Sequence, residues 1–173
     1  MKNSDLVEKI IKKFNLTSLE DEGGYFTETY RSEEIILKEH LPLRYKSARN
    51  FSTSILYLIT PDNFSALHKV ASDEMFHFYM GDQVIMLNLF ESGKGQIIKM
   101  GSNIFSGEQI QYLVPKNTWQ GAKLAKGGKF ALLGTTVSPG FEYEDFVQAK
   151  TYKNEILKQY PDFAPLINEF IKT

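Results

Sequence analysis

The amino-acid sequence predicts a mainly β fold, an antiparallel sandwich or barrel with a helix before it and helices after it. Three observations carry this expectation. Between Ser52 and Val137, short apolar or aromatic runs alternate with clusters of Gly, Asn, Asp and Pro, the pattern of strands joined by tight turns. The chain holds 13 Phe and 9 Tyr among 173 residues, and aromatic side chains favour a pleated, half-buried surface. Apolar residues at helical spacing are confined to the two ends.

The elements follow in chain order. Residues 5 to 14 are predicted as a helix, with Leu6, Ile10 and Phe14 on one face, Asp5 as its cap with Glu8 three residues on, and Asn15 as its stop. Glu22-Gly23-Gly24 breaks the chain, and Tyr25–Arg31 reads as a first strand. Further strands are predicted at Thr53–Thr60, Ala66–Val70, Met75–Met80, Gln83–Phe90, Gln96–Met100, Gln109–Val114, Thr118–Leu124 and Phe130–Val137. Turns at Pro61-Asp62-Asn63, Gly81-Asp82, Ser92–Gly95, Ser106-Gly107 and Lys126–Gly128 separate them. Evenly spaced short strands of this kind close into sandwiches or barrels. After Pro139-Gly140, Lys153–Gln159 and Ala164–Lys172 return to helical spacing, interrupted at Pro161, and are expected to pack outside the sheets.

Composition narrows the classes. The length fits a single domain, residues 1–173, with room for a sizeable core. A hydrophobic fraction of 42% and a charged fraction of 24% are those of an ordinary globular chain. The formal net charge is -1 with no basic block, so nucleic acid is not an expected partner. Without cysteine, disulfides and thiolate chemistry are excluded. Met1-Lys2-Asn3-Ser4-Asp5 lacks the apolar core of a signal peptide, and no run reaches membrane-spanning length, so a cytoplasmic location away from membranes is expected.

The stretch from Ser65 to Gly81 concentrates the chemistry. It places His68, Glu74 and His77, two of the three histidines and a carboxylate, within strand-like sequence, where polar groups are costly unless paired. Strict alternation puts Glu74, Phe76 and Phe78 on one face and Met75, His77 and Tyr79 on the other. His77 then faces a second core or a subunit partner, unless a bulge resets the register. Glu74 needs a partner, for which His68, Arg49 or a ligand are the candidates. Arg49, just before a strand, has the fork geometry for phosphate or carboxylate. Trp119 and Gln120 are neighbours, so one enters the barrel and the other leaves it. Gly24 is expected at positive φ or at a close strand approach, and Pro139-Gly140 at a type II turn. His40, Glu33-Glu34 and Lys12-Lys13 read as solvated. Phosphate-loop, dinucleotide and nucleophile-elbow patterns are absent.

Two segments carry a family resemblance. His68-x-Val70-x-x-x-Glu74, then six residues, then Gly81 has the spacing of the first cupin motif. Pro115-Lys116-Asn117-Thr118-Trp119-Gln120 has that of the second, a set of proline, glycine and histidine. Together with Glu22–Arg31, Ser52–Tyr57, Ser72–Tyr79 and Gly134–Glu142, they make the chain similar, from about Leu6 to past Phe146, to a single-domain cupin family long catalogued as a domain of unknown function. The resemblance implies a double-stranded β-helix, or jelly-roll barrel, related in fold to nucleotide-sugar epimerases, with no settled activity.

In metal-binding cupins the first motif supplies two histidines and a glutamate, and the second a further histidine. Here the matching positions hold Val70 and Gln120. No metal and no other cofactor is therefore expected, with a loosely held divalent ion on His68, Glu74 and Gln120 as one alternative. By the same resemblance, His68 matches the base of the metal-free epimerases, and a neutral imidazole suits proton abstraction near pH 7. Expected roles are thus His68 and Glu74 as catalytic residues, and Arg49, Tyr57, His77, Trp119 and Gln120 as ligand-binding ones. An acid partner is left open among Tyr57, Tyr79 and Tyr143. The implied function is a small-molecule isomerase or epimerase acting on a sugar or nucleotide-sugar-like ligand. The other alternative is a binding module without turnover. A homodimer is implied as well, with Tyr25–Arg31 as a candidate contact strand.

Overall fold

The structure is a computed structural model and describes residues 3–171. In chain order the strands are β1 (Thr17–Ser18), β2 (Tyr25–Arg31), β3 (Ile35–Ile36), β4 (Arg49–Asn50), β5 (Thr53–Ile59), β6 (Ser65–Lys69), β7 (Asp73–Gly81), β8 (Val84–Leu89), β9 (Gly95–Met100), β10 (Gln111–Val114), β11 (Trp119–Leu124), β12 (Ala131–Ser138) and β13 (Val147–Gln148). The α-helices are α1 (Asn3–Phe14), α2 (Lys153–Gln159) and α3 (Ala164–Phe170). A six-stranded sheet runs β1-β2-β5-β12-β7-β10, and a five-stranded sheet runs β13-β6-β11-β8-β9. Every pairing between these strands is antiparallel. The two sheets face each other as the predicted jelly-roll barrel, with β3 and β4 as a separate two-stranded ribbon.

Alternation along the strands sorts the core into three layers. Tyr57, Phe76 and Leu133 of the six-stranded sheet meet Val84, Met86 and Ala122 of the five-stranded sheet inside the barrel. The other face of the five-stranded sheet, with Leu67, Leu87, Leu89 and Trp119, is covered by Ile156, Tyr160, Ile167 and Phe170 of the C-terminal segment. Because both of its faces are buried, β8 is an almost unbroken apolar run. On the opposite side, α1 lays Ile10 against Leu58 and Leu132 on the outer face of the six-stranded sheet.

The predicted elements are present, with differences that have local causes. The strand Tyr25–Arg31 and the helix Lys153–Gln159 have the expected limits. Helix α1 starts at Asn3, so Asp5 sits in its first turn instead of capping it, where a carboxylate still favours the helix dipole. Asn15 ends α1 at φ 52°, the left-handed stop its side chain tolerates. Gly24 combines both expected features: φ is 75°, and a Cβ there would lie 2.6 Å from the Tyr57 ring. The type II turn expected at Pro139-Gly140 does not form. Ser138–Pro139 is cis and Gly140 is not left-handed; what Gly140 supplies is room, since a Cβ would meet Thr53 Cγ2 at 3.0 Å. Met1 and Lys2, part of the N-terminus read as lacking a signal peptide, and Lys172, the expected end of the last helix, lie outside the described residues. Among those residues, no helix is long and apolar enough to cross a membrane.

Candidate functional site

A cavity of about 280 Å³ occupies one end of the barrel interior. Inward-facing positions of β5, β6, β7 and β12 form its walls, including His68, Glu74 and Thr135. The β1–β2 connection, with Leu19 to Glu22, and the segment Phe141–Phe146 border it. A second recess of about 240 Å³ shares His68, Phe146, Glu20 and Asp21 with it, and reaches Gln148 and Lys150.

His68 is 3% exposed, stacked on the Phe146 ring at a centroid distance of 5.0 Å. Its Nδ1 lies 2.8 Å from the Ala66 carbonyl oxygen. A carbonyl can only accept, so Nδ1 carries a proton, and in the neutral ring the lone pair is on Nε2. Nε2 has no hydrogen-bond partner among the described residues. The Glu22 carboxylate stands 4.0 Å from Nδ1, held by the Ser65 hydroxyl donating to it at 2.6 Å.

Glu74 is buried, and Gln120 Nε2 donates to its Oε2 at 2.5 Å. Burial pushes its carboxyl above the ordinary range. The charge of His68 and hydrogen bonds from Gln120 and Thr135 act in the opposite direction, while Glu22 adds to the rise. Behind Gln120 the polar character continues. Across the five-stranded sheet, Gln148, His68, Gln120 and Asn88 are partners in register on four successive strands. Gln120 Oε1 and both amide atoms of Asn88 are buried without a partner among the described residues. Buried amides in native proteins are nearly always met, by protein or by ordered water, and of this row His68 lines the cavity while Gln120 and Asn88 lie buried in the sheet behind it.

The structure thus brings His68, Glu74 and Gln120 together and sends four other candidates elsewhere. Arg49 is 1% exposed and lines neither of these cavities. Its Nε and Nη2 fork onto Asp145 at 2.9 and 2.6 Å, Nη2 also reaches Glu144 at 2.8 Å, and Nη1 donates to Ser47 and Ala48. It braces the 141–146 segment, and holding a ligand is not open to it. Tyr57 lies in the barrel core outside the cavity, its hydroxyl donating to the Gly23 carbonyl at 2.7 Å, and burial raises its pKa well above the usual phenol. Trp119 points out of the barrel under the C-terminal helices, with Lys69 over its ring at 4.6 Å, while Gln120 points in, as adjacency requires. His77 is on the outer face of β7, bonded to Thr136 and Gln111 and stacked on Tyr79. The bulge in β7 comes after His77, at Tyr79, between the pairings with Leu132 and Leu133, so the alternation from Glu74 holds. Of the three tyrosines left open, only Tyr143 lines the cavity.

Two lining residues, Glu22 and Phe146, and the buried Asn88 of β8 were not singled out from sequence. Glu22 read as part of a chain break, though it opens one of the family-like segments. Asn88 carried a signal in its own strand, a lone amide in an otherwise apolar run. Phe146 carried none, because its place against His68 depends on how the chain folds back.

The donor set does not fit a transition metal. Val70 offers no ligand, Gln120 turns its amide nitrogen to Glu74, and the two remaining groups fall short of the three or four that such sites use. Among the described residues, no group of three or more His, Cys, Asp or Glu is placed to hold an ion.

Comparison with known proteins agrees with the fold and leaves the chemistry open. The family described as Cupin superfamily (DUF985) matches residues 8–149. The chain is 31% identical over 134 residues to the uncharacterized protein YML079W of Saccharomyces cerevisiae, covering 72% of this chain and 66% of that protein, just under two thirds of its length. A hypothetical protein from Leishmania major superposes with a TM-score of 0.81 at 26% identity, covering 96% of this chain and 98% of the other. Protein SO0799 from Shewanella oneidensis gives 0.79 at 27%, with 99% of both chains covered. A Bacillus subtilis oxalate decarboxylase shares the fold alone, with a TM-score of 0.53 at 17% identity over 92% of this chain and 36% of that one. A jelly-roll barrel with a matching family profile across most of its length, this chain belongs to the cupin superfamily, in the family DUF985.

Proposed function

We propose that the chain, acting as one cupin domain, binds a small sugar-sized organic molecule in the barrel and uses His68 as a metal-independent base, in the manner of an isomerase or epimerase. The observation that supports this most is the state of His68. Its Nδ1–H is tied to the Ala66 carbonyl, and the free Nε2 belongs to a ring that lines a cavity. A proton taken at Nε2 would make an imidazolium stabilised by the carboxylates of Glu22 and Glu74. A cavity of about 280 Å³ is at the small end of ligand pockets, which run from about 300 to 1,000 Å³. That size favours a single ring over a whole nucleotide sugar.

The test is solvent exchange. Monosaccharides incubated with the protein in D2O are expected to exchange a carbon-bound proton for deuterium, read by NMR, and His68→Asn is expected to abolish the exchange. Undiminished exchange in the variant would remove His68 from this role. A binding module without turnover is the second reading, favoured by the placing of Tyr143. Of the three candidate tyrosines it alone lines the cavity, and it sits 65% exposed at the rim. Binding without exchange in the wild type would select that reading.

We further infer a cytoplasmic homodimer. Beyond the part covered by α1, the outer face of the six-stranded sheet leaves Tyr79, Met80 and Leu113 exposed. On β2, residues 27–31 have a neighbour on one side only, an edge that a second subunit can cover. A monomer in sedimentation at micromolar concentration would contradict this.

A further inference from the structure

We propose that the barrel pocket discriminates by charge: it takes neutral or cationic molecules that present hydroxyl or ammonium donors, and it rejects anions. This deepens the small-molecule reading above and rests on it. Six carboxylates line the cavity, those of Glu20, Asp21, Glu22, Glu28, Glu74 and Glu142. Against them stand one guanidinium, Arg31, and the imidazole of His68. Ionised carboxylates only accept hydrogen bonds, so the groups that satisfy them must donate.

Arg31 is the one permanent cation lining the cavity, and it is fully engaged. Nε and Nη2 fork onto Glu28 at 3.0 and 2.9 Å, Nη1 reaches Asn50 at 2.8 Å and Glu142 at 2.7 Å, and Nη2 also meets the Phe141 carbonyl at 3.3 Å. All five of its N–H groups have acceptors. A phosphate or carboxylate could use Arg31 only by displacing Glu28 or Glu142, leaving a carboxylate unpaired beside a bound anion. Arg49 is equally closed, with its donors on Asp145, Glu144, Ser47 and Ala48. Lys150 lines the adjoining recess but not the cavity.

With Arg31 neutralised by Glu28 and Glu142, the field at the entrance comes from Glu20, Asp21 and Glu22. Apolar walls such as Phe26, Val70 and Phe146 keep the local dielectric low and focus that field inward. Aromatic faces can also stack on the C–H face of a sugar or meet an ammonium group. The free imidazole Nε2 is a further acceptor awaiting a donor. A nucleotide diphosphate, a sugar phosphate or an oxalate-like dianion finds no free guanidinium or ammonium group among the residues that line the cavity.

The experiment holds the ring constant and changes its charge. Glucosamine, glucose and glucuronate are titrated at neutral pH and low salt, with binding read from amide shifts at residues 20–22, 68 and 141–146. Glucosamine is expected to bind tightest and glucuronate weakest, with a ratio of about tenfold or more. The double variant Glu20→Gln, Asp21→Asn, altering two exposed rim residues, is expected to shrink that ratio severalfold. Tightest binding by glucuronate would overturn the proposal.

A second measurement needs no sugar. Relaxation enhancement of the same amides by a cationic and by an anionic nitroxide reports the local potential directly. The cationic probe is expected to act more strongly, by about threefold or more, and a ratio at or below one overturns the proposal whatever the sugars do. Silent sugars with a high probe ratio would leave the charge rule standing and count against the sugar reading alone.

Discussion

Around Arg49 and around His68 the chain buries polar and charged groups to a similar depth, 1% and 3% exposed, and treats them differently. Every donor of Arg49 has an acceptor, two of them on the buried Asp145. A few strands away, His68 Nε2, Gln120 Oε1 and the Asn88 amide have no partner among the described residues. Arg49 with Asp145 is a closed ion pair that fastens the 141–146 segment to β4. The His68 region keeps open hydrogen-bonding capacity, with the His68 ring itself lining a cavity. Burial of charge alone therefore does not mark a site. The useful sign is a buried polar group that the protein leaves unsatisfied.

Breaking the closed region should have the largest effect. Asp145→Asn takes from the buried guanidinium its buried, forked partner and leaves only the more exposed Glu144; breaking a buried pair costs about 3–5 kcal/mol, an upper bound here. Denaturant unfolding should show this as a lowered midpoint. A variant within experimental error of wild type would show that the pair is not what secures the segment.

The open region should tolerate more. His68→Asn removes one hydrogen bond, to the Ala66 carbonyl, and should cost about 1 kcal/mol in the same assay while ending any proton exchange. A loss matching that of Asp145→Asn would make His68 a structural residue first, and the contrast between the regions would fail.

The smallest effect, and the most diagnostic, concerns Glu74. Its folded pKa is raised, chiefly by burial, above an unfolded value near about 4.3. Between those two values the folded state binds more protons than the unfolded one. Its stabilising contribution is thus complete below the unfolded pKa and is lost as pH rises through the folded pKa. Relative to Glu74→Gln, the wild type should lose melting temperature across that window. A difference that stays flat, or that grows in favour of the wild type with pH, would show that Gln120 and His68 hold the carboxylate ionised at little cost.

Much of this was legible in the sequence because it depends on neighbours along the chain. The strand Tyr25–Arg31, the alternation of Glu74, Phe76 and Phe78 against His77 and Tyr79, and the opposed directions of Trp119 and Gln120 follow from a two-residue period. The close approach at Gly24 follows from what glycine lacks. By contrast, β1, β3, β4 and β13 have two residues each, too few to display any period, and pairing with distant strands creates them. His77 and Trp119 were placed among the ligand-binding residues by chemical type, although their own alternation directs them away from the barrel. Arg49 and Tyr57 could not be sorted by either means.

What the sequence determined by itself was the barrel class, the alternation of faces along the longer strands such as β7 and β11, and the presence of His68, Glu74 and Gln120 among a wider set of candidates, since parity and motif spacing are local properties. Only the tertiary structure decided which charged groups are open. Arg31 is matched by Glu142, 111 residues away, and Arg49 by Asp145, 96 residues away. Whether a donor is free depends on every acceptor that folding brings within about 3 Å, and that distance has no counterpart along the chain.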